Sequence, residues 1–189
     1  PITKMLNDGQ VFDLVIIAGE NVDQLATAGK LVAGPHPGFA KSGVGLALRN
    51  GLPKVDVATP EAVRKALLEA KSLAYSAGPS GLHAANVLKT LGIADEVAGK
   101  TRQYPSGVET TNGLKRGEID LAFALTSEFR DAEAIVDLGP LPATLQRYTT
   151  YAIGIPVAAP SEKAARQLIE RLLAPEARPL IVKMGMEPG

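Results

Sequence analysis

Hydroxyl and glycine residues recur at three places where an apolar stretch gives way to a turn or a helical pattern. Ser80 and Gly81 follow Gly78-Pro79, Ser106 stands before Gly107 and Val108, and Thr126 and Ser127 follow the run LAFAL at residues 121–125. A helix start leaves backbone N–H groups unpaired, and hydroxyls beside it add neutral donors, so the chemistry these turns offer is the holding of an anion. A serine at such a place also caps its own helix, and for a single turn capping is explanation enough. Three turns of this kind exceed what capping requires. They also fall at the carboxyl ends of strands, where open α/β sheets take their ligands.

Groups for covalent or metal chemistry are sparse. Cysteine is absent and there are two histidines, which excludes thiol catalysis, disulfides and zinc–thiolate sites. His36 stands in a proline loop without a carboxylate cluster and is read as shaping that loop. His83 falls in the first turn of a helix and is read as capping or packing. No Gly-x-Ser-x-Gly elbow is present, and Gly43-Val44-Gly45 lacks the third glycine of a dinucleotide fingerprint. Glu118 and Asp120 are read as solvated carboxylates in a surface turn. The chain is therefore not expected to be an enzyme, and neither a cofactor nor a metal is expected. Twenty Lys and Arg offset twenty Asp and Glu without forming blocks, which argues against a nucleic-acid partner. No apolar run approaches the roughly 20 residues that span a bilayer. The lack of cysteine fits an oxidising compartment.

The elements that must position the three turns follow from periodicity. Residues 11–19, VFDLVIIAG, form a nearly unbroken apolar run of the kind buried parallel strands show. Residues 21–28 read as a short helix stopped by Gly29, and residues 41–48 as a strand whose alternate glycines suit a crossing between lobes. Thr59-Pro60 opens a helix with threonine at the N-cap and proline at N1. The strand at 72–76 feeds a helix carried by Leu82, Ala85, Val87, Leu88 and Leu91, with Ser80 at its N-cap and Gly92 as its stop. A strand at 100–104, a helix at 108–115 and a strand at 121–125 repeat the device. A short strand at 135–138 leads to a hard turn at Gly139-Pro140-Leu141-Pro142 and an extended segment at 147–156. A capped amphipathic helix at 161–173 and a further helix from Pro175 to Gly185 close the chain. Two extended crossings, near 43–46 and 149–155, imply a two-lobed α/β protein. Lobe 1 takes residues 1–42 and 151–189, lobe 2 takes residues 43–150, and a two-segment hinge lets them close on a ligand.

Several phrases then carry a resemblance. Lys41-Ser42-Gly43-Val44-Gly45, the segment AKSLAYSAGPSGLHAANVLKTLG at 70–92 with IADEV after it, Gly117-Glu118, and the closing GPLPATLQ and KMGMEPG resemble, in the same order, the solute-binding proteins of molybdate-type ABC transporters. The resemblance covers nearly the whole chain. It implies the type II periplasmic binding fold with mixed sheets, a small anion such as a molybdate-like oxyanion held in an interlobe cleft, periplasmic localisation, and delivery to an ABC permease in the inner membrane. It places one backbone donor at Ser80 with Gly81 beside it, and a second near Val108, after Ser106-Gly107. Thr126, Ser127 and Gly19 complete the predicted ligand-binding set. Where the molybdate binders carry a tyrosine that reaches the ligand, this chain has Leu125, which weighs against molybdate itself. The alternatives are a small organic carboxylate and the effector-binding domain of a transcription regulator. Lys41, Arg102 and Arg147, otherwise surface charges, would then clamp a carboxylate. The family's chain begins with a strand and a serine-bearing turn that nothing before Pro1 supplies, so the first lobe is expected to be incomplete and the sequence to be part of a longer protein with roughly 40 residues absent, which a prior of ~100 to 200 residues per domain allows.

Overall fold

The computed structural model describes residues 2–129 and 134–189. In chain order its elements are α1 (Ile2–Asn7), β1 (Val15–Ala18), α2 (Gly19–Thr27), β2 (Gly38–Arg49), α3 (Pro60–Glu69), β3 (Leu73–Ser76), α4 (Pro79–Thr90), α5 (Ala94–Val97), β4 (Thr101–Tyr104), α6 (Gly107–Lys115), β5 (Leu121–Leu125), β6 (Ile135–Pro140), β7 (Tyr148–Gly154), α7 (Glu162–Leu173), α8 (Arg178–Lys183) and β8 (Glu187–Pro188). They form two compact units, Pro1–Lys41 with Thr149–Gly189, and Ser42–Tyr148.

In the first unit β1 pairs with β7 from Val15 opposite Gly154 to Ala18 opposite Tyr151, and the pairing is antiparallel. The apolar run at 11–19 reads as a parallel strand, and here the structure differs. Only four residues are extended, and burial alternates, with Val15 and Ile17 inside. A strand that returns along its neighbour covers one face and leaves the other half open, so alternation replaces the continuous burial of a parallel strand. Val15 and Ile17 pack with Leu6, Val22, Leu25, Leu31 and Ala152 as this unit's core. Ala40 and Lys41 at the start of β2 pair with Pro188 and Glu187 of β8.

The second unit is a mixed sheet. Beyond Lys41, β2 pairs antiparallel with β5 on one side, Val44 opposite Leu125 through Leu48 opposite Leu121, and antiparallel with β6 on the other. β5 runs parallel to β3, and β3 parallel to β4. All five residues of β5 are buried, as a central strand covered on both faces requires. On one face, Ala47, Ala74, Ala122 and Ala124 present small side chains on which Leu114, Ile119 and Phe129 pack. β6 continues through Pro140 where a hard turn is expected. Gly139, at φ +93, takes up the irregularity as a bulge, and an added Cβ at Gly45 would lie 2.6 Å from the Gly139 carbonyl oxygen.

Helix starts follow their local chemistry. Thr59 caps α3, its Oγ1 accepting the Ala62 N–H at 3.2 Å, with Pro60 at the first helical position. The expected cap of α4 shifts by two residues. Gly78 is the N-cap and Pro79 opens the helix, because a proline's fixed φ and missing N–H suit the first helical position, and this leaves Ser80 one residue inside. Gly92, at φ +67, ends the segment as expected.

Candidate functional site

The carboxyl ends of β3, β4 and β5 in the second unit gather the hydroxyl groups. With Val44 opposite Leu125, the antiparallel register brings Ser42 level with Ser127. The Ser42 Oγ is fully buried, lies 3.0 Å from the Ser127 Oγ and 3.3 Å from the Thr126 Oγ1, and accepts the Ser127 N–H at 3.3 Å. One strand over, the Ser76 Oγ lies 3.4 Å from the Ser80 Oγ. Gly81 permits that approach, because the place of its missing Cβ is taken by the Ser76 carbonyl. Ser106 caps α6, its Oγ accepting the Glu109 N–H at 3.2 Å, so for this hydroxyl the simpler reading holds. Val108 is exposed on the first turn of the same helix.

These turns do not open on one face of the sheet. β4 lies on one side of β3 and β5 on the other, so right-handed crossovers put α4 and α6 on opposite faces, and the order of winding across the sheet reverses at β3 and β4. Such a switch point is where doubly wound sheets leave a crevice above the strand ends. Gly19, the remaining predicted residue, belongs to the first unit, where it opens α2 and an added Cβ would stand 3.6 Å from the Thr150 carbonyl oxygen.

Four side chains that sequence reading passed over or misjudged gain roles here. Glu128 sits half-buried at the end of β5. Its Oε2 accepts the Leu125 N–H at 3.0 Å, and its carboxylate fills the space where Gly107, the first residue of α6, lacks a Cβ. Burial pushes this carboxyl up, while the Leu125 N–H pulls the other way. Its one sequence signal is a glutamate three residues after the last residue of a strand, the second half of a capping box. His83 has its Nε2 2.7 Å from the Leu145 carbonyl oxygen. A carbonyl only accepts, so Nε2 carries a hydrogen, and the tautomer this bond selects has its lone pair on Nδ1. The carboxamide of Gln146 binds the backbone of Val44 through both its ends.

Asp120, read as solvated, is buried at 9% exposure and accepts from Arg49 through Nη2 at 2.9 Å and Nε at 3.2 Å. A charge this far inside must be paired, and the partner lies on a neighbouring strand's end. Glu118 is tied to the Arg116 guanidinium and to the Tyr104 hydroxyl, which hold its carboxyl down to about 2. Of the three cations, the Lys41 Nζ stands 3.1 Å from the Glu187 carboxylate and Arg102 is exposed. The Arg147 N–H donates to the Gln146 Oε1 at 2.9 Å. His36 lines a cavity of about 230 Å³ in the first unit together with Val32, Ile153, Ile155, Arg166 and Ile169.

A family model described as bacterial extracellular solute-binding protein matches residues 2–187. The chain belongs to that family. Among solved structures, the periplasmic molybdate-binding protein of Azotobacter vinelandii matches with a TM-score of 0.80 at 20% identity, over 100% of this chain and 84% of that one. A binding protein from A. tumefaciens R10 in complex with agropinic acid matches with a TM-score of 0.70 at 16% identity, over 99% of this chain and 69% of that one. At these identities the likeness carries the fold alone, which is the type II periplasmic binding fold.

A curated relative named aconitate isomerase, from Pseudomonas sp, is 28% identical over 189 residues, 99% of this chain and 71% of that protein. This overturns the expectation that the chain is not an enzyme. The missing cysteine and nucleophile elbow argue only against covalent catalysis. An isomerase needs a group that takes and returns a proton, and a single imidazole or carboxylate beside the ligand suffices.

Proposed function

We propose that this chain is the solute-binding component of an ABC importer that takes a small anion at the carboxyl ends of β3, β4 and β5 and hands it to a permease in the inner membrane from the periplasm. The observation that carries this reading is the buried Ser42 hydroxyl bonded to Thr126 and Ser127, one strand from the Ser76–Ser80 pair. Hydroxyls clustered at strand ends give an anion neutral donors without adding a counter-charge. Leu125 is buried and offers no donor, so the ligand favoured is a small organic carboxylate over molybdate.

The test is a thermal-shift and calorimetry panel of molybdate, tungstate, sulfate, phosphate and small di- and tricarboxylates. A ligand at one hundred times its Kd adds about 2.7 kcal/mol to apparent stability. At least one carboxylate is expected to raise the Tm, and Ser127→Ala is expected to weaken its binding. A panel in which no anion shifts the Tm overturns the reading.

A second reading is supported by the isomerase relative. An isomerase acting on a small unsaturated carboxylate moves a proton from one carbon to another while the double bond shifts, with no net oxidation or reduction. His83, one turn from Ser80 and oriented through Nε2, has the lone pair for that transfer on Nδ1. Incubation of the chain with cis- and trans-aconitate, followed by proton NMR in D₂O, reads both interconversion and solvent deuterium uptake. Turnover that His83→Gln abolishes favours this reading, and the absence of any conversion removes it.

A further inference from the structure

The loop between β6 and β7 holds two groups of the strand-end site from one anchor. Leu141 at its start donates its N–H to the Val44 carbonyl at 3.0 Å, and the Arg147 carbonyl at its end accepts the Val44 N–H at 3.1 Å. Within the loop, the Leu145 carbonyl accepts from the His83 Nε2 at 2.7 Å, and the carboxamide of the next residue, Gln146, binds both backbone groups of Val44. Val44 is where the ladder of β2 with β5 ends, opposite Leu125. Ser42, whose buried hydroxyl bonds to Thr126 and Ser127, lies two residues past that last pair. Gly43 joins the two, and glycine has the freest backbone of any residue. The Gln146 amide nitrogen stands 3.0 Å from where a Gly43 Cβ would be, so the carboxamide packs on the one free link.

We propose that Gln146 is a positioning residue of this site, which sets the place of the Ser42 hydroxyl through Val44 and Gly43 and the tautomer of His83 through the Leu145 carbonyl. It acts through these groups and not on the ligand. This rests on the small-anion reading above and adds the residue that fixes the geometry of its donors. Site groups must be held within about 0.5 Å of their place by neighbours whose own rotamers are locked. The hydrogen bonds of Gln146 to Val44, Leu141 and Arg147 lock its rotamer in that way.

Gln146→Ala and Gly43→Ala test it, the second by pressing a methyl group against the carboxamide while Gln146 stays in the chain. Long-range proton–nitrogen NMR at about pH 8, above the ordinary imidazole range near about 6.5, reads the tautomer of His83, with the other histidine, His36, as the reference. The wild type is expected to show the Nε2–H ring, and both variants are expected to show the Nδ1–H ring beside it. Calorimetry with cis-aconitate, citrate and malate as probes is expected to give about tenfold weaker binding in both variants for whichever probe the wild type takes, the worth of one hydrogen bond in the site. The double variant is expected to bind no more weakly than Gln146→Ala alone, since the group on which the methyl presses is then gone. Asp120→Ala, which also lowers stability, is expected to change neither readout. A His83 signal or an affinity that both single variants leave as in the wild type overturns the proposal and leaves the small-anion reading standing, and so does an equal change in Asp120→Ala. If the wild type binds no anion at all, the small-anion reading falls and the His83 signals alone decide for or against Gln146.

Discussion

The carboxamide of Gln146 brackets the backbone of Val44, its Oε1 accepting the Val44 N–H at 2.8 Å and its Nε2 donating to the Val44 carbonyl at 3.0 Å. The same side chain accepts the Arg147 N–H at 2.9 Å and reaches the Leu141 carbonyl at 3.3 Å. It thus adds to the backbone bonds that Val44 makes with Arg147 and Leu141, and Gly43 makes room for it, since an added Cβ there would lie 3.0 Å from the amide nitrogen. Gln146→Ala is expected to cost about 2 to 4 kcal/mol, as several net hydrogen bonds of about 1 kcal/mol each are lost. Gln146→Glu keeps the length but loses the donor and is expected to lose most of the same. Urea unfolding, read as a lower midpoint at unchanged slope, measures both.

Arg49 and Asp120 form the ion pair whose removal is expected to matter. Asp120→Ala leaves a guanidinium that is only about a third exposed without its carboxylate, and about 1 to 3 kcal/mol of stability is expected to be lost, short of the figure for a fully buried pair. Glu118→Ala, two residues away on the surface, is expected to change the urea midpoint little. Equal losses from the two variants would contradict this account.

Glu128 imposes a pH dependence of a particular sign. Its carboxyl is raised in the folded chain, so the folded state holds this proton at pH values where the unfolded chain has lost it. The stability this contributes is complete below the ordinary glutamate range near 4.5 and is lost as pH rises through the raised value. Urea midpoints measured at intervals upward from pH 4 are expected to fall less steeply in Glu128→Gln than in the wild type.

Glu118 titrates the other way. With Arg116 and Tyr104 holding its carboxyl down to about 2, its contribution is present above the ordinary range near 4.5 and lost as pH falls through that low value. Carbon-detected NMR titration is expected to show this carboxyl still ionised at pH 3.5, and Arg116→Gln is expected to return its midpoint toward the ordinary range.

Gly81 is expected to tolerate no side chain. The place of a Cβ coincides with the Ser76 backbone carbonyl, which cannot rotate away as a flexible side chain would. Gly81→Ala is expected to cost about 3 kcal/mol or more and to loosen the start of α4, which circular dichroism and urea unfolding together detect.

Much of the fold was legible in the chain because it is written locally. Apolar runs, Pro79 at a helix start, Thr59 as a cap and Gly92 as a stop are matters of neighbouring residues, and they located β3, α4, α6 and β5 to within a residue or two. The order of the quoted phrases carried the family. Among the predicted donors, Ser80, Gly81, Ser106, Thr126 and Ser127 lie at strand ends because the turns there are local too.

Tertiary structure decided the rest. The antiparallel partner of β1, the bond of Ser42 to Ser127 across 85 residues, that of Arg49 to Asp120 across 71, and that of Val44 to Gln146 across 102 all depend on strand register. So does the placing of the Glu128 carboxylate on Gly107. Register is set by the sum of packing along whole strands, so no window of neighbouring residues carries it. A glutamate three residues past a strand shows in sequence as half of a capping box, and only the tertiary fold lays the first residue of α6 against it.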